Sequence, residues 1–272
     1  MAIEYAAKYS GKVDERFKIA AKTTGAVNND YDWVGVDTVK VYSIPTVELG
    51  DYALTGTNRY GTPEDLQNAA QTMLLTQDKA FTFVIDKKSE DDTMGAMEAG
   101  KALRRQVDEV VIPTIDKYRL GVMASGAGKT TTAAVSESNA YASFLEGQAT
   151  LMTNGVPETG RIAFVSPAFY KNIKLDGAFI KASDAAQNML VTGSLGIVDG
   201  VNIVVVPANY LPANVVFMLT HPVATVGPVK LESYKIHDNP PGINGKLVEG
   251  RIRYDAFVLN SKKGAIYVHK SA

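Results

Sequence analysis

The sequence predicts an α+β protein, and three observations carry that expectation. Two segments, Val36–Val47 (VDTVKVYSIPTV) and Phe81–Lys88 (FTFVIDKK), alternate in polarity and are rich in β-branched residues, as half-buried strands are. Between them and the body, apolar residues recur at spacings of mostly three and four: Met94, Met97, Leu103, Val107, Val110, Val111, Ile115 and Tyr118. That is the stripe of one long amphipathic helix. Further strand candidates follow at Arg161–Pro167, Gly200–Pro207, Val215–Leu219, Gly250–Leu259 and Ala265–Lys270, with a second helical stretch at Ser138–Thr153. Their order is mixed, not a repeating β-α-β unit.

Residues 1–35 carry five basic and five acidic side chains and few large apolar ones before Tyr31 and Trp33. Such a segment buries too little to hold itself, so it reads as an extended arm that is frayed or laid across another surface. Between the first two strands lies Glu48–Ala80, far longer than a tight turn and longer than the roughly 12–15 residues of ordinary connections. The economical reading is a two-stranded flap with an elaborated tip that wants a partner surface.

The long helix begins at Ser89, Glu90, Asp91 and Asp92, with three acids at its positive end, and carries Lys117 and Arg119 near its negative end. Pro113 is expected to kink or interrupt its last turns. A small-residue loop, Ala124–Thr132, comes next. The turn at Asn239–Gly242 (NPPG) is expected to mark the return of the chain from one unit to another.

Composition narrows the function classes. With 28 basic and 29 acidic residues the net charge is -1, so the total shows no footprint of a dedicated DNA reader. The 272 residues contain no cysteine, which removes disulfides, thiolate nucleophiles and Cys-ligated zinc. Met1–Lys22 lacks a signal-peptide core, and no uncharged apolar run approaches the roughly 18 residues of a membrane span. Export by that route and membrane insertion are not expected.

The motifs that tempt fall short. Ser125–Thr132 (SGAGKTTT) is similar to a Walker A loop, but Met123 stands where its first glycine belongs, and a helix, not a buried strand, precedes it. A nucleotide-binding enzyme using Gly126–Lys129 is the alternative from a different class. The same loop has Thr131 where a dinucleotide fingerprint needs its third glycine. The three histidines, His221, His237 and His269, form no metal-binding pair at helical spacing, and no serine sits in a GxSxG elbow. No enzymatic activity, catalytic residue, cofactor or metal is therefore assigned.

The order of a charged arm, a long flap, a long amphipathic helix and a mixed body resembles the major capsid protein of tailed bacteriophages, the HK97-like fold family. The resemblance is carried by Val111–Leu120 (VIPTIDKYRL), Pro157–Tyr170 (PETGRIAFVSPAFY) and Thr192–Pro207 (TGSLGIVDGVNIVVVP), in that order along the chain. It implies an N-arm at 1–35, an extended β-hairpin loop at 36–88, and a peripheral domain with its spine helix at 89–155. An axial domain at 156–235 and a return to the peripheral domain at 236–272 complete the implied division.

By the same resemblance the chain is expected to self-assemble into the pentamers and hexamers of an icosahedral phage head, a virion structural protein enclosing double-stranded DNA without sequence specificity. Assembly in the host bacterial cytoplasm and scaffolding, portal and decoration proteins are implied partners and setting; a membrane is not. Some family members cross-link neighbours through a lysine near the extended-loop tip, whereas no lysine occurs here between Leu49 and Asp78. An encapsulin-like nanocompartment shell is the alternative within the same fold.

Overall fold

The computed structural model describes residues 21–28, 30–31, 38–43, 47–63, 65, 69–88, 99–181 and 196–272. In chain order the strands are β1 (Thr38–Ser43), β2 (Ala69–Leu74), β3 (Gln77–Asp86), β4 (Lys129–Thr132), β5 (Ile162–Val165), β6 (Ile197–Val198), β7 (Val201–Val205), β8 (Val215–Thr220), β9 (Thr225–Val226), β10 (Val229–Asp238), β11 (Gly245–Tyr254), β12 (Phe257–Val258) and β13 (Ile266–Lys270). The α-helices are α1 (Ala99–Gln106), α2 (Ile112–Ser125), α3 (Ala140–Thr153), α4 (Pro167–Leu175) and α5 (Gly177–Lys181). The chain divides into two compact units, residues 33–74 and the remainder.

The smaller unit is an antiparallel ribbon of β1 and β2, in register from Thr38 opposite Leu74 to Ser43 opposite Ala69. A two-stranded flap was expected from Val36–Val47 and Phe81–Lys88, and here the pairing differs. Phe81–Asp86 lies in β3, which pairs along its whole length with β11 in another sheet. The physical reason is burial: Phe81, Phe83 and Ile85 pack into an apolar core, whereas AAQTML in β2 has no alternation to announce it.

The larger unit has two main sheets. β10, β11 and β3 form an antiparallel three-stranded sheet of ten-residue strands. Against one face lies helix α1–α2, through Leu103, Val107, Val111, Ile112 and Ile115, which meet Ile85, Val248, Ile252 and Tyr254. Gly250 sits under Phe81 and Tyr234, and a Cβ there would stand 2.3 Å from the Phe81 ring and 2.7 Å from that of Tyr234. Only glycine lets both rings close over the strand.

Pro113 does not break the helix. Between α1 and α2 the turn Val107–Val111 is a π-helix, and the Ile112 N–H donates to the Val107 carbonyl, five residues back. The wider turn takes up the proline, which has no N–H to give. Thr114 Oγ1 donates to the Val110 carbonyl one turn back at 2.6 Å. The helix continues to Ser125, beyond the end expected from the stripe. Its predicted acidic start at Ser89–Asp92 lies outside the described residues.

The second sheet has six strands in the order β4-β13-β8-β5-β7-β6, parallel at β4/β13 and β5/β7 and antiparallel elsewhere. The central strands β5, β8 and β13 are covered on both faces, which explains why they read as continuous apolar runs. Ala163, Val165, Phe217, Leu219 and Tyr267 face α3 and α4, meeting Phe144, Leu151, Phe169 and Ile173. Phe164, Met218, Ile266 and Val268 point the other way, toward Leu120 and Met123 of α2. Helix α4 starts cleanly because Ser166 Oγ accepts from the Phe169 N–H and Pro167 opens its first turn.

Two expectations about chain organisation need correction. NPPG is the turn of the β10–β11 hairpin, with both flanks in one sheet, so the expected boundary at 235/236 cuts a continuous ladder. Asn239 at φ +46° and Gly242 at φ +84° supply the left-handed turn residues. The last strand, β13, does not return to the three-stranded sheet. It inserts between β4 and β8, because Ile266, Tyr267 and Val268 are apolar on both faces and fit only an interior strand.

Candidate functional site

The ribbon's connecting segment, residues 47–63, concentrates unburied apolar side chains. Val47, Leu49, Tyr52, Leu54 and Tyr60 are exposed, Leu54 at 81% and Tyr60 at 93%. Single exposed apolar residues are ordinary, but five within so short a stretch make a patch that seeks a cover. The segment is locally organised. Ala53 N–H donates to the Arg59 carbonyl at 3.0 Å, Arg59 Nε donates to the Gly56 carbonyl at 3.2 Å, and the Tyr52 and Tyr60 rings meet edge to face at 5.0 Å.

In the larger unit, buried carboxylates pin two points where the chain changes course. Asp255, 2% exposed, accepts from the Thr76 N–H at 2.7 Å, Thr76 Oγ1 at 2.9 Å and the Tyr118 hydroxyl at 2.8 Å. Thr76 immediately precedes β3, so this carboxylate fixes where that strand begins. Burial, then the neighbouring Asp255 carboxylate, pushes the Tyr118 hydroxyl up to about 12.

Asp116, 1% exposed on α2, accepts from the backbone N–H groups of Lys22 and Thr23 at 2.9 and 3.3 Å and from Thr23 Oγ1 at 2.6 Å. Arg119, one turn further on, donates to Thr23 Oγ1 and to the Gly227 carbonyl. Burial pulls Arg119 down to about 10, countered by the Asp116 charge, so the guanidinium is still protonated at neutral pH. Ala26 and Val27 are buried beside α2, and Asn28 N–H donates to the Thr225 carbonyl at 2.7 Å. Gly227 permits this approach, since a Cβ there would stand 2.8 Å from Val27.

The charged arm expected over 1–35 is thereby corrected: Lys22–Asn28 belongs to the body. Sequence reading missed this staple, although one signal was available, an acid at a buried position of an otherwise apolar helix stripe.

The tempting loop at Gly126–Lys129 has the reverse of phosphate-loop geometry. It leaves a helix and enters a strand, β4, instead of leaving a strand and entering a helix. Its backbone is already committed: Gly128 N–H lies 2.9 Å from the Lys263 carbonyl and 3.1 Å from that of Ile266. A Cβ on Gly126 would strike Val258 at 2.7 Å, and one on Gly128 the Lys263 carbonyl at 2.6 Å. The glycines serve close packing, and part of the predicted loop is strand.

The histidines are separately engaged. His221 Nδ1 accepts from the Val223 N–H, His237 faces Glu249 at 3.3 Å, and His269 stacks on Phe217 at 4.9 Å. Among the described residues no group of three or more His, Asp or Glu side chains is arranged to hold a metal ion, and no helix is long and apolar enough to cross a membrane.

The chain thus has a two-stranded ribbon in one unit and, in the other, a long helix on a three-stranded sheet and a six-stranded mixed sheet. A chain from Mycobacterium phage Che8 matches at TM-score 0.68 and 17% identity, over 90% of this chain and 89% of that one. The capsid structure of the cyanophage P-SCSP1u matches at TM-score 0.67 and 13% identity, over 87% and 84%. A virus-like particle from Pyrococcus furiosus matches at TM-score 0.60 and 10% identity, over 98% and 100%. No curated protein sequence matches.

The phage capsid protein family matches residues 69–268, and the chain belongs to it. It is a major capsid protein of the HK97-like fold, a structural component of the virion whose copies assemble into an icosahedral shell.

Proposed function

We infer that the shell is built of pentamers and hexamers and encloses double-stranded DNA as a phage head, put together in the host bacterial cytoplasm with scaffolding, portal and decoration proteins. Within the subunit, the segment before Lys22 acts as the N-arm and the β1–β2 ribbon as the extended loop. Helix α1–α2 with the three-stranded sheet is the peripheral domain, and the six-stranded sheet with α3 and α4 is the axial domain.

The observation that carries this reading is the run of exposed apolar side chains Val47, Leu49, Tyr52, Leu54 and Tyr60. Covering them with a neighbour yields roughly 1.5–3 kcal/mol for each large side chain fully buried. Repeated around a closed shell, modest contacts become firm because each added subunit is held at several points.

The test is electron microscopy of purified wild-type protein and of Leu49→Ser/Leu54→Ser/Tyr60→Ser. Wild type is expected to give closed particles and the triple variant folded subunits only. Normal closed particles from the variant would remove the ribbon tip from the assembly contact.

A second and less favoured reading is an encapsulin-like shell that carries a protein cargo; the fold shared with the virus-like particle from Pyrococcus furiosus is compatible with it. Particles isolated from their source with DNA inside support the phage head. Particles with co-purifying protein and no DNA support the second reading.

A further inference from the structure

Two segments that lie about 130 positions apart meet at the lower-numbered end of β13. Gly128 N–H lies against the Lys263 and Ile266 carbonyls, and β4 then runs parallel to β13 with Lys129 opposite Tyr267. This sets the backbone of Lys129 next to that of Lys263, which follows Lys262 in the 3-10 turn Asn260–Ala265. Lys129 and Lys263 are exposed and Lys262 is half-buried. The contact is fixed, since Gly128 admits no side chain against the Lys263 carbonyl and Asn154 Nδ2 donates to the Gly264 carbonyl at 2.9 Å.

Neither segment carries an acid: none occurs between Leu120 and Ser136 or between Ala256 and Ala272. On the neighbouring strand the Tyr267 hydroxyl is pushed up by burial and, to a lesser extent, by the charge of Glu146 on α3. Exposed uncharged residues of the same two segments include Ser125, Thr130, Thr132, Asn260 and Ser261.

No large exposed apolar side chain belongs to either segment, in contrast to the ribbon tip. That difference identifies the partner class. A protein–protein contact centres on apolar and aromatic anchors, as at the tip, whereas a polar, cationic surface without anchors suits a phosphate backbone.

We propose that Lys129, Lys262 and Lys263 form a cationic surface that takes the phosphate backbone of duplex DNA. The proposal rests on the reading of the chain as a head subunit. Three lysines give weak binding per subunit, without base readout, and the shell multiplies it. This is the chemistry a container needs: cargo is held against the wall yet free to leave. The net charge of -1 does not oppose it, because the charge is gathered locally.

The test measures binding of full-length protein to a 30-base-pair duplex by fluorescence anisotropy across a salt series. Each phosphate contact adds about 0.9 to the slope of log affinity against log salt, so three add about 2.7. Between 50 and 200 mM salt the wild type should therefore lose about 40-fold more affinity than Lys129→Ala/Lys262→Ala/Lys263→Ala. The arginine triple, which keeps the charge, should retain the wild-type slope. Lys171→Ala, whose lysine faces Glu137 at 3.3 Å, should leave it unchanged.

Should the alanine triple fold poorly, Lys129→Ala alone is expected to lower the slope by about 0.9. An unchanged slope in these variants overturns the proposal. So does loss of particle closure with DNA binding intact, which would assign the lysines to an acidic surface on another copy. Whether wild-type protein closes into particles is read separately by microscopy, so failure of the head reading is distinguishable from failure of the patch.

Discussion

The body and the ribbon satisfy their apolar residues in opposite ways. In the body, three clusters bury Phe144, Phe164, Phe217, Leu103, Ile115 and Tyr267 essentially completely, and even its charged Asp116 and Arg119 are internal and linked through Thr23 Oγ1. In the ribbon segment 47–63, comparable side chains stand in solvent around a small hydrogen-bonded loop. One region is completed by its own chain, the other by assembly. Stability and shell formation should therefore be separable by mutation.

The largest expected effect is in the body. Asp116→Ala leaves the Arg119 guanidinium buried without its counter-charge, which typically costs about 3–5 kcal/mol. For a chain of this size that is a fall of roughly 10 °C in melting temperature, readable by calorimetry. A melt within 1 °C of wild type would show that the staple contributes nothing to the fold. Truncation sharpens the same point. Removing residues 1–28 should lower the melt, because Thr23, Ala26 and Val27 are core.

Next is Gly250→Ala, which drives a methyl group into the Phe81 and Tyr234 rings and should cost about 1–3 kcal/mol in urea unfolding. A neutral result would mean that the two rings part freely.

A smaller effect is alkaline. In the fold the Tyr118 hydroxyl is held near 12, above its ordinary 10, so the neutral form is favoured by folding. That contribution is fully present below pH 10 and is lost as pH rises through 12. Tyr118→Phe should flatten the decline of stability between those values, seen in denaturant midpoints against pH. An equally steep decline would place its origin elsewhere.

The smallest effect on stability belongs to the ribbon. Leu49→Ser/Leu54→Ser/Tyr60→Ser should shift unfolding by no more than about 0.5 kcal/mol per site, as exposed substitutions do, while abolishing closed particles. A large loss of stability would break the comparison by showing that the tip is core after all.

Much of the fold was legible in the sequence because period and burial coincide there. The stripe Leu103, Val107, Val111 and Ile115 announces the helix, and RIAFVSP announces a buried strand and the Ser-Pro helix start that follows. Where a segment's character is not imposed by burial, reading failed. KTTT in β4 is polar and mostly exposed, and it is a strand only because β13 offers it a ladder. The partner of β1 was misread because the Ala-rich β2 carries no alternation.

The candidate contact surface was half legible. A long insertion rich in turn residues flagged the flap, but the exposure of Leu49, Leu54 and Tyr60 and the edge-to-face meeting of Tyr52 with Tyr60 needed coordinates. So did the approach of the Lys129 backbone to that of Lys263, which no local spacing could announce.

What the sequence determined by itself was the α+β class, the long helix, most strands and the absence of cysteine chemistry, because these depend on side-chain type and period within a few residues. What only tertiary structure decided was pairing: which strand joins which sheet, that Thr23 lies on Asp116, and that a helix and a π-turn absorb Pro113. Those outcomes turn on contacts between residues tens to more than a hundred positions apart. Their free energy is a property of the packed whole, and local pattern carries no record of it.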